Sequence, residues 1–411
     1  MRSATRWLLA SLAVVVVGPA LAEEGAFASI LRDAALRHGI LPAKQLFDDA
    51  DSHLAQVGRT FFHSQKVSLN GQIACGTCHL DEFSSADGLP NAVGIHGEGE
   101  GPARALSGGK IVPRNTLPLW GRGGRGFDVF FWDGKVDFSG DQTTSQFGNV
   151  PPSLDALLTA VHLPPVEIRE MLDDDEDVSR YKQESAGLAR ELHQRIVRRL
   201  LETESAAMTD LAMELGKPVD RVNFHDVARS MAAFIRSEFR LHDTPFHHFV
   251  FGQGTLTREQ LQGGILFYGK GKCANCHTGP YFSDLRFHAV PLPQLGFGKN
   301  GFGIDYGRFN VTFEPEDLYR FRTPPLINAS ETAPYGHAGS LPTLSDAVTA
   351  HFDPLRLVET SSMDPVARHE LFRRMAAVGD EFMLVSHLTD REVNQVTIFL
   401  GTLTFEVPQG Q

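Results

Sequence analysis

The four cysteines of this 411-residue chain occur in two pairs that share one pattern. In each pair two residues separate the cysteines and a histidine follows at once, giving Cys75-Gly-Thr-Cys78-His79 and Cys273-Ala-Asn-Cys276-His277. Two thiols at this spacing can form thioethers with the two vinyl groups of a porphyrin, and the adjacent imidazole can then bind the iron. The pattern therefore predicts two covalently attached haem c groups.

Other chemistries also use paired cysteines. Two Cys-x-x-Cys knuckles can bind zinc through four thiolates, but that does not explain a histidine after each pair. A redox-active disulfide usually occurs once, and structural disulfides in an exported protein would not require this spacing. Haem attachment accounts for every cysteine and for both histidines, so we prefer it.

The first 22 residues have the features of a secretory signal peptide. Two arginines precede an apolar run from residue 7 to residue 17, and the segment ends in Ala20-Leu21-Ala22. An uncleaved membrane anchor would need about 20 apolar residues, and this run is shorter. We therefore expect cleavage before Glu23, export to the periplasm, and a mature chain that is not an integral membrane protein.

Length and composition favour two compact domains, because 42% of the residues are apolar and 411 residues suffice for two cores. The two motifs lie far apart, so we expect one haem in each of two cytochrome c-like domains, residues 23–240 and 241–411. Helical spacing at 224–239, 257–268 and 389–403, with glycine- and proline-rich stretches between, predicts a mainly α fold with long loops and little β. The net charge of −12 argues against a nucleic-acid partner.

The order of motifs resembles that of the bacterial dihaem cytochrome c peroxidases and of the related enzymes that mature the tryptophan-derived cofactor of methylamine dehydrogenase. Besides the two haem motifs, the resemblance rests on four segments: Pro113-Arg114-Asn115, Phe131-Trp132-Asp133-Gly134, Phe321-Arg322-Thr323-Pro324 and Thr332-Ala-Pro334-Tyr-Gly-His337-Ala-Gly-Ser340. It covers nearly the whole chain after the signal peptide and is weakest between residues 153 and 222.

The resemblance implies a division of labour between the haems. Hydrogen peroxide would react at the N-terminal haem, and the six-coordinate C-terminal haem would pass on electrons from a small periplasmic cytochrome c or cupredoxin. A calcium ion would be bound by the Asn115 side chain and by the carbonyls of Thr332 and Pro334, which are oxygen ligands suited to a hard cation. Homodimerisation is compatible with the resemblance and is left open by the sequence.

Two further residues take roles from the resemblance. Trp132 would lie between the haems and relay an electron, although a buried aromatic that only fills space is the simpler alternative. Gln142 stands at the spacing of a glutamine near the peroxide site.

The sequence departs from the family pattern at the second axial ligand of the C-terminal haem. Peroxidases of this kind have a methionine there and the maturation enzymes a tyrosine, whereas the aligned residue here is His351. A thioether ligand raises the haem potential, and a second imidazole stabilises ferric iron instead. This change favours oxidation of a protein or another substrate without excluding peroxidase turnover.

Two departures concern the N-terminal haem. His96, in a glycine-rich loop, is a candidate ligand that would block the iron at rest, although its offset from His79 differs by one residue. The family glutamate that moves protons during O–O cleavage is replaced by Pro152. Asp155 or Glu82 would have to substitute, or peroxide cleavage would be slow.

Three functions follow from these features. The first is a periplasmic dihaem peroxidase, an oxidoreductase that uses hydrogen peroxide. The second is a dihaem enzyme that oxidises side chains of a partner protein to mature it. The third is a dihaem electron carrier without catalysis, which would require two permanently six-coordinate irons.

Overall fold

The computed structural model describes residues 19–49, 51–140, 144–145, 151–173, 186–252, 254–294, 296–378 and 387–406. Short and medium α-helices form most of its regular structure. In chain order they are α1 (Pro19–Arg37), α2 (Ser52–His63), α3 (Gly101–Ala105), α4 (Ala156–Val161), α5 (Ala186–Thr203), α6 (Ser205–Glu214), α7 (Phe224–Glu238), α8 (Pro245–Val250), α9 (Arg258–Tyr268), α10 (Phe309–Thr312), α11 (Leu344–Ala350), α12 (Pro365–Ala376) and α13 (Asp390–Gly401).

The strands in the described ranges are all two residues long and pair antiparallel in small local sheets. They are β1 (Ala92–Val93), β2 (Ile111–Val112), β3 (Val129–Phe130), β4 (Val136–Asp137), β5 (Thr144–Ser145), β6 (Phe287–His288), β7 (Phe297–Gly298), β8 (Gly301–Phe302) and β9 (Phe321–Arg322). The pairs are β1 with β2, β3 with β4, β4 with β5, β6 with β9, and β7 with β8. The prediction of a mainly α fold with long loops and little β is confirmed.

Helices α2 and α7 form the core of the N-terminal half. The predicted helix at 224–239 begins after Asn223, whose side chain accepts a hydrogen bond from the Asp226 amide in a capping box. Its apolar face is buried against α2. At the crossing, a Cβ on Gly58 would lie 1.9 Å from the Ser230 carbonyl oxygen, so only glycine allows the two backbones to approach this closely.

Helices α9 and α13 repeat this arrangement in the C-terminal half. Both predicted helices are present, and each begins after a threonine, Thr257 or Thr389, that caps its first turn. A Cβ on Gly263 would lie 2.0 Å from the Gln395 carbonyl oxygen. Each half therefore contains a close helix pair whose first helix leads into its Cys-x-x-Cys-His motif.

Helix α1 packs on the C-terminal half, although it comes first in the chain. The Arg32 Nε donates to the Phe249 carbonyl at 2.9 Å, and the His38 carbonyl accepts from the Gly279 amide at 2.7 Å. The segment that precedes the first haem motif thus helps to support the second. The domain boundary at residue 240 remains a prediction.

The predicted signal peptide lies mostly outside the described residues, and α1 begins at its end. Within the described ranges, no helix has the length and apolar character needed to cross a membrane.

Candidate functional site

The first haem motif lines a cavity of about 420 Å³ in the N-terminal half. Cys75, Cys78 and His79 all border it. The His79 Nδ1 donates to the Ser85 carbonyl at 2.8 Å, and burial lowers the pKa of His79 to about 4. The imidazole is therefore neutral with its lone pair on Nε2, the arrangement found in histidines that bind metal through one nitrogen and donate through the other.

The second motif repeats this local geometry in a separate cavity of about 220 Å³. Cys273, Cys276 and His277 border it. The His277 Nδ1 donates to the Phe282 carbonyl at 3.0 Å, and burial lowers the pKa of His277 to about 4. Each proximal imidazole is thus oriented by a carbonyl from its own loop.

His351 faces His277 across the second cavity. It caps the end of α11, and the centres of the two imidazole rings are 6.4 Å apart with their planes at 64°. The His351 Nδ1 donates to the Ala347 carbonyl at 2.7 Å, and burial lowers its pKa. Two metal–nitrogen bonds of about 2 Å each would fit between rings at this separation. The structure therefore brings together the residues that the sequence predicts as axial ligands.

The thiols fit haem attachment better than the alternatives. All four cysteines are free, and the two pairs line different cavities, so they cannot bind one zinc ion together. Burial raises the pKa of Cys75 and of Cys273 to about 12.

Trp132 borders both cavities. Its indole Nε1 donates to the Asn115 carbonyl at 2.9 Å, and its ring lies edge-on to His337 with centres 6.5 Å apart. The Trp132 carbonyl accepts from the Arg322 amide at 2.8 Å. The residue predicted to lie between the haems therefore forms part of the partition between the two cavities.

The three predicted calcium ligands border the second cavity. The Asn115 side-chain Nδ2 donates to the Pro334 carbonyl at 2.5 Å, and the Asn115 backbone N–H donates to the His337 carbonyl at 2.9 Å. Thr332 lies on the same loop. The structure thus places Asn115 beside the Pro334 carbonyl, with its amide nitrogen toward that oxygen, and calcium ligation stays a prediction.

The structure does not place His96 in the first cavity. Its side chain is 42% exposed, and its Nε2 lies 2.7 Å from an Asp173 carboxylate oxygen. In this conformation the imidazole is directed to Asp173 and not toward the space above His79. Gln142, the other residue predicted near the peroxide site, lies outside the described residues.

Neither residue suggested as a proton carrier borders the first cavity. Asp155 caps α4 and accepts two hydrogen bonds from Arg236 at 2.6 and 2.7 Å, while Glu82 is exposed. Glu170 does border the cavity, and loss of hydration raises its pKa to about 7, helped by the nearby Glu167. Sequence analysis missed it because no motif marks it, and only the fold brings it beside the haem motif.

Two haem-attachment motifs, each in its own cavity with an oriented histidine, define a dihaem c-type cytochrome. The profile of the di-haem cytochrome c peroxidase family matches residues 52–255 of this chain. The family resemblance seen in the sequence is thereby confirmed.

Several relatives support this assignment. The chain is 26% identical to cytochrome c peroxidase Ccp of Escherichia coli over 304 residues, which are 72% of this chain and 52% of that enzyme, so it spans about half that relative. It is 26% identical to cytochrome c551 peroxidase of Pseudomonas aeruginosa, covering 71% of this chain and 70% of the relative. It is 25% identical to the methylamine utilization protein MauG of Methylorubrum extorquens, covering 72% and 67%.

Solved structures show the same fold at lower identity. The diheme peroxidase BthA of Burkholderia thailandensis has a TM-score of 0.64 at 19% identity, covering 89% of each chain. A MauG-like protein associated with microbial copper homeostasis has a TM-score of 0.62 at 21% identity, covering 90% of this chain and 93% of that one.

Proposed function

We propose that the protein is an exported dihaem c-type peroxidase. It reduces hydrogen peroxide at the haem of the first cavity with electrons relayed through the haem of the second. The observation that carries this proposal is the difference between the cavities. Among described residues, the lining of the first contains the imidazole of His79 and a titratable carboxyl, whereas the second contains two facing imidazoles.

The bound haem would supply redox equivalents and an iron site for peroxide, and the protein would supply the proton transfers. His79 would bind iron through Nε2, and the Glu170 carboxylate would accept a proton from peroxide and return it to the leaving oxygen. With a pKa near 7, this carboxyl can both take and give a proton at neutral pH. Two electrons and two protons then convert one peroxide into two waters.

The second cavity would serve electron transfer. His277 and His351 would bind its iron on opposite faces, and Trp132 would connect the two haems because it borders both cavities. The donor would be a small periplasmic cytochrome c or cupredoxin. A calcium ion at Asn115, Thr332 and Pro334 would hold the segments between the haems in place.

His351 favours a second candidate function, oxidation of side chains on a partner protein. A second imidazole stabilises ferric iron relative to a thioether. The second haem would then accept electrons less readily from a high-potential cytochrome. Electrons would instead be drawn from a protein substrate.

Stopped-flow mixing of the purified, haem-loaded protein with hydrogen peroxide and reduced cytochrome c tests the proposal. Rapid oxidation of the cytochrome supports peroxidase function. A long-lived oxidised form that does not react with the reduced cytochrome supports oxidation of a partner protein. Absence of any optical change with peroxide would contradict both and leave an electron carrier.

A further inference from the structure

Two buried arginines, Arg122 and Arg322, connect the two cavities. They are only 3% and 0% exposed. Arg122 borders the first cavity and Arg322 the second. Both guanidinium carbons approach the same ring, that of Phe127, with distances to its centre of 4.5 and 5.6 Å. The two cations therefore form one cluster that reaches both cavities.

The hydrogen bonds of this arginine pair go to backbone carbonyls. Arg122 donates from Nε and Nη2 to Pro118 at 3.1 and 3.0 Å, and Arg322 donates from Nε to Phe131 at 3.0 Å and from Nη1 to Thr323 at 3.4 Å. Among the described residues, Arg122 Nη1 and Arg322 Nη2 are buried with no hydrogen-bond partner. Neither guanidinium forms an ion pair with any side chain in the described part of the chain.

Burial without a counter-charge is costly for both groups. Burial lowers the pKa of Arg322 to about 9, and burial together with Arg322 lowers the pKa of Arg122 well below its ordinary value. No carboxylate of the described residues acts on either pKa. Because arginine keeps its proton in proteins, this site calls for an anion from outside the described chain.

We propose that Arg122 and Arg322 bind the propionate carboxylates of the two haems and form one positive site shared between them. Thioether formation uses the vinyl groups of a haem and leaves both propionates available. The planar guanidinium matches a carboxylate with two parallel hydrogen bonds. The inference rests on the proposed haem attachment but not on peroxidase activity.

A shared site has a consequence for the haems themselves. Positive charge beside a propionate favours ferrous iron, since it opposes the charge gained on oxidation. Because both guanidinium groups lie close to the same ring between the cavities, each charge acts through space on both irons, and removing either one changes the electrostatic potential at both. The arginine pair would therefore couple the reduction of one haem to that of the other.

The test compares Arg122→Met and Arg322→Met with wild type by potentiometric titration of the haem-loaded protein between pH 5 and pH 9. In each variant we expect the ferric-to-ferrous ratio at fixed potential to rise at least tenfold at the adjacent haem, which is about 59 mV for one electron. It should rise to a smaller extent at the other haem. A propionate left without its cation should also take up a proton on reduction, so the potential should become pH-dependent.

Arg374→Met is the matched control. Arg374 is fully buried and also has unpartnered nitrogens, but it borders neither cavity. Its loss should leave both potentials and their pH dependence close to wild type. Equal shifts in the control and the two test variants, or no shift in any of them, would overturn the proposal.

Lysine variants keep the proposal testable if a methionine variant does not fold. Arg122→Lys and Arg322→Lys preserve the charge but not the two-pronged geometry, so the potentials should stay near wild type. The haem-propionate bending bands in resonance Raman spectra should shift, and unchanged bands would again overturn the proposal. Haem content from the pyridine haemochrome spectrum shows whether both haems are attached in each variant. The peroxide assay tests the proposed peroxidase function separately.

Discussion

The Arg114 guanidinium forms two parallel hydrogen bonds with the Asp305 carboxylate, from Nε and Nη2, both at 2.9 Å. Its third nitrogen, Nη1, donates to Asp133 at 2.6 Å. All three side chains are buried. These ion pairs thus connect the family segments at residues 113–115 and 131–134 to the loop that contains Asp305 in the C-terminal half. They lie next to Trp132, the tryptophan that borders both cavities.

Asp305→Asn should destabilise the protein, because it leaves the buried Arg114 with one carboxylate instead of two. Breaking a buried ion pair costs about 3–5 kcal/mol, measurable as the free energy of unfolding in guanidinium. Asp390→Asn is the control, since Asp390 forms an exposed pair with Arg356 and should change little. Equal stability of both variants would contradict the role of this ion-pair network.

The same network predicts how stability depends on pH. Arg114 lowers the pKa of Asp133 to about 2 and also lowers the pKa of Asp305. Unfolded aspartate titrates at about 3.9, so the unfolded state binds protons first as the pH falls. The stabilisation should be complete above about pH 4 and lost toward pH 2. Asp305→Asn should flatten this part of the stability curve.

His351→Met should raise the potential of the second haem, because a thioether favours ferrous iron. We expect a shift on the order of 100 mV, within the range of about 0.8 V that axial ligands span. Redox titration followed by optical and EPR spectra measures it. His369→Met, an exposed histidine on α12, serves as the control. An unchanged spectrum and potential would remove His351 from the ligand set.

Trp132→Phe should slow electron transfer between the haems by about tenfold or more, a change of at least about 1.4 kcal/mol in the barrier. Both haems should remain attached, because Trp132 contributes no thiol or imidazole. Flash photolysis or rapid mixing measures the rate. The matched control is Trp120→Phe, a buried tryptophan that donates to Ser84 at 2.9 Å and borders neither cavity. Equal rates in the two variants would discard the relay.

Glu170→Gln should lower the rate of reaction with peroxide by about 10²-fold or more, the usual contribution of general acid–base catalysis. In the wild type the rate should rise with pH through about 7, because the carboxylate form accepts the proton of peroxide. The variant should lose this inflection. Glu82→Gln alters an exposed glutamate and should keep the wild-type profile. If the rate in Glu170→Gln still rose with pH through about 7, another group would carry out the proton transfer.

The sequence predicted the features that depend on local chemistry. The haem motifs fix their own turns, and helical spacing predicted α7, α9 and α13, which the structure confirms. His351 could be found because it aligns with the second axial ligand of the family's C-terminal haem. These signals lie in short runs of residues, so they can be read without knowing the fold.

The sequence could not predict the features that depend on distant contacts. Glu170 and Arg122 carry no motif, and Arg322 lies in a family segment that does not reveal its neighbours. Burial in the fold is the main cause of their altered pKa values. The packing of α1 on the C-terminal half could also not be inferred, because chain order gives no sign of this contact. The orientation of the His96 side chain was also not predictable. A glycine-rich loop permits several orientations, and the contact with Asp173 selects one of them.

The two imidazoles that face each other in the second cavity are held in place very differently. His277 belongs to a loop that also contains both thiols and the Phe282 carbonyl that orients its ring. His351 lies at the end of a separate helix, α11. On gentle heating, the separate helix should withdraw first while the thioether-bound loop stays with its iron. A five-coordinate, high-spin second haem should therefore appear before the chain melts.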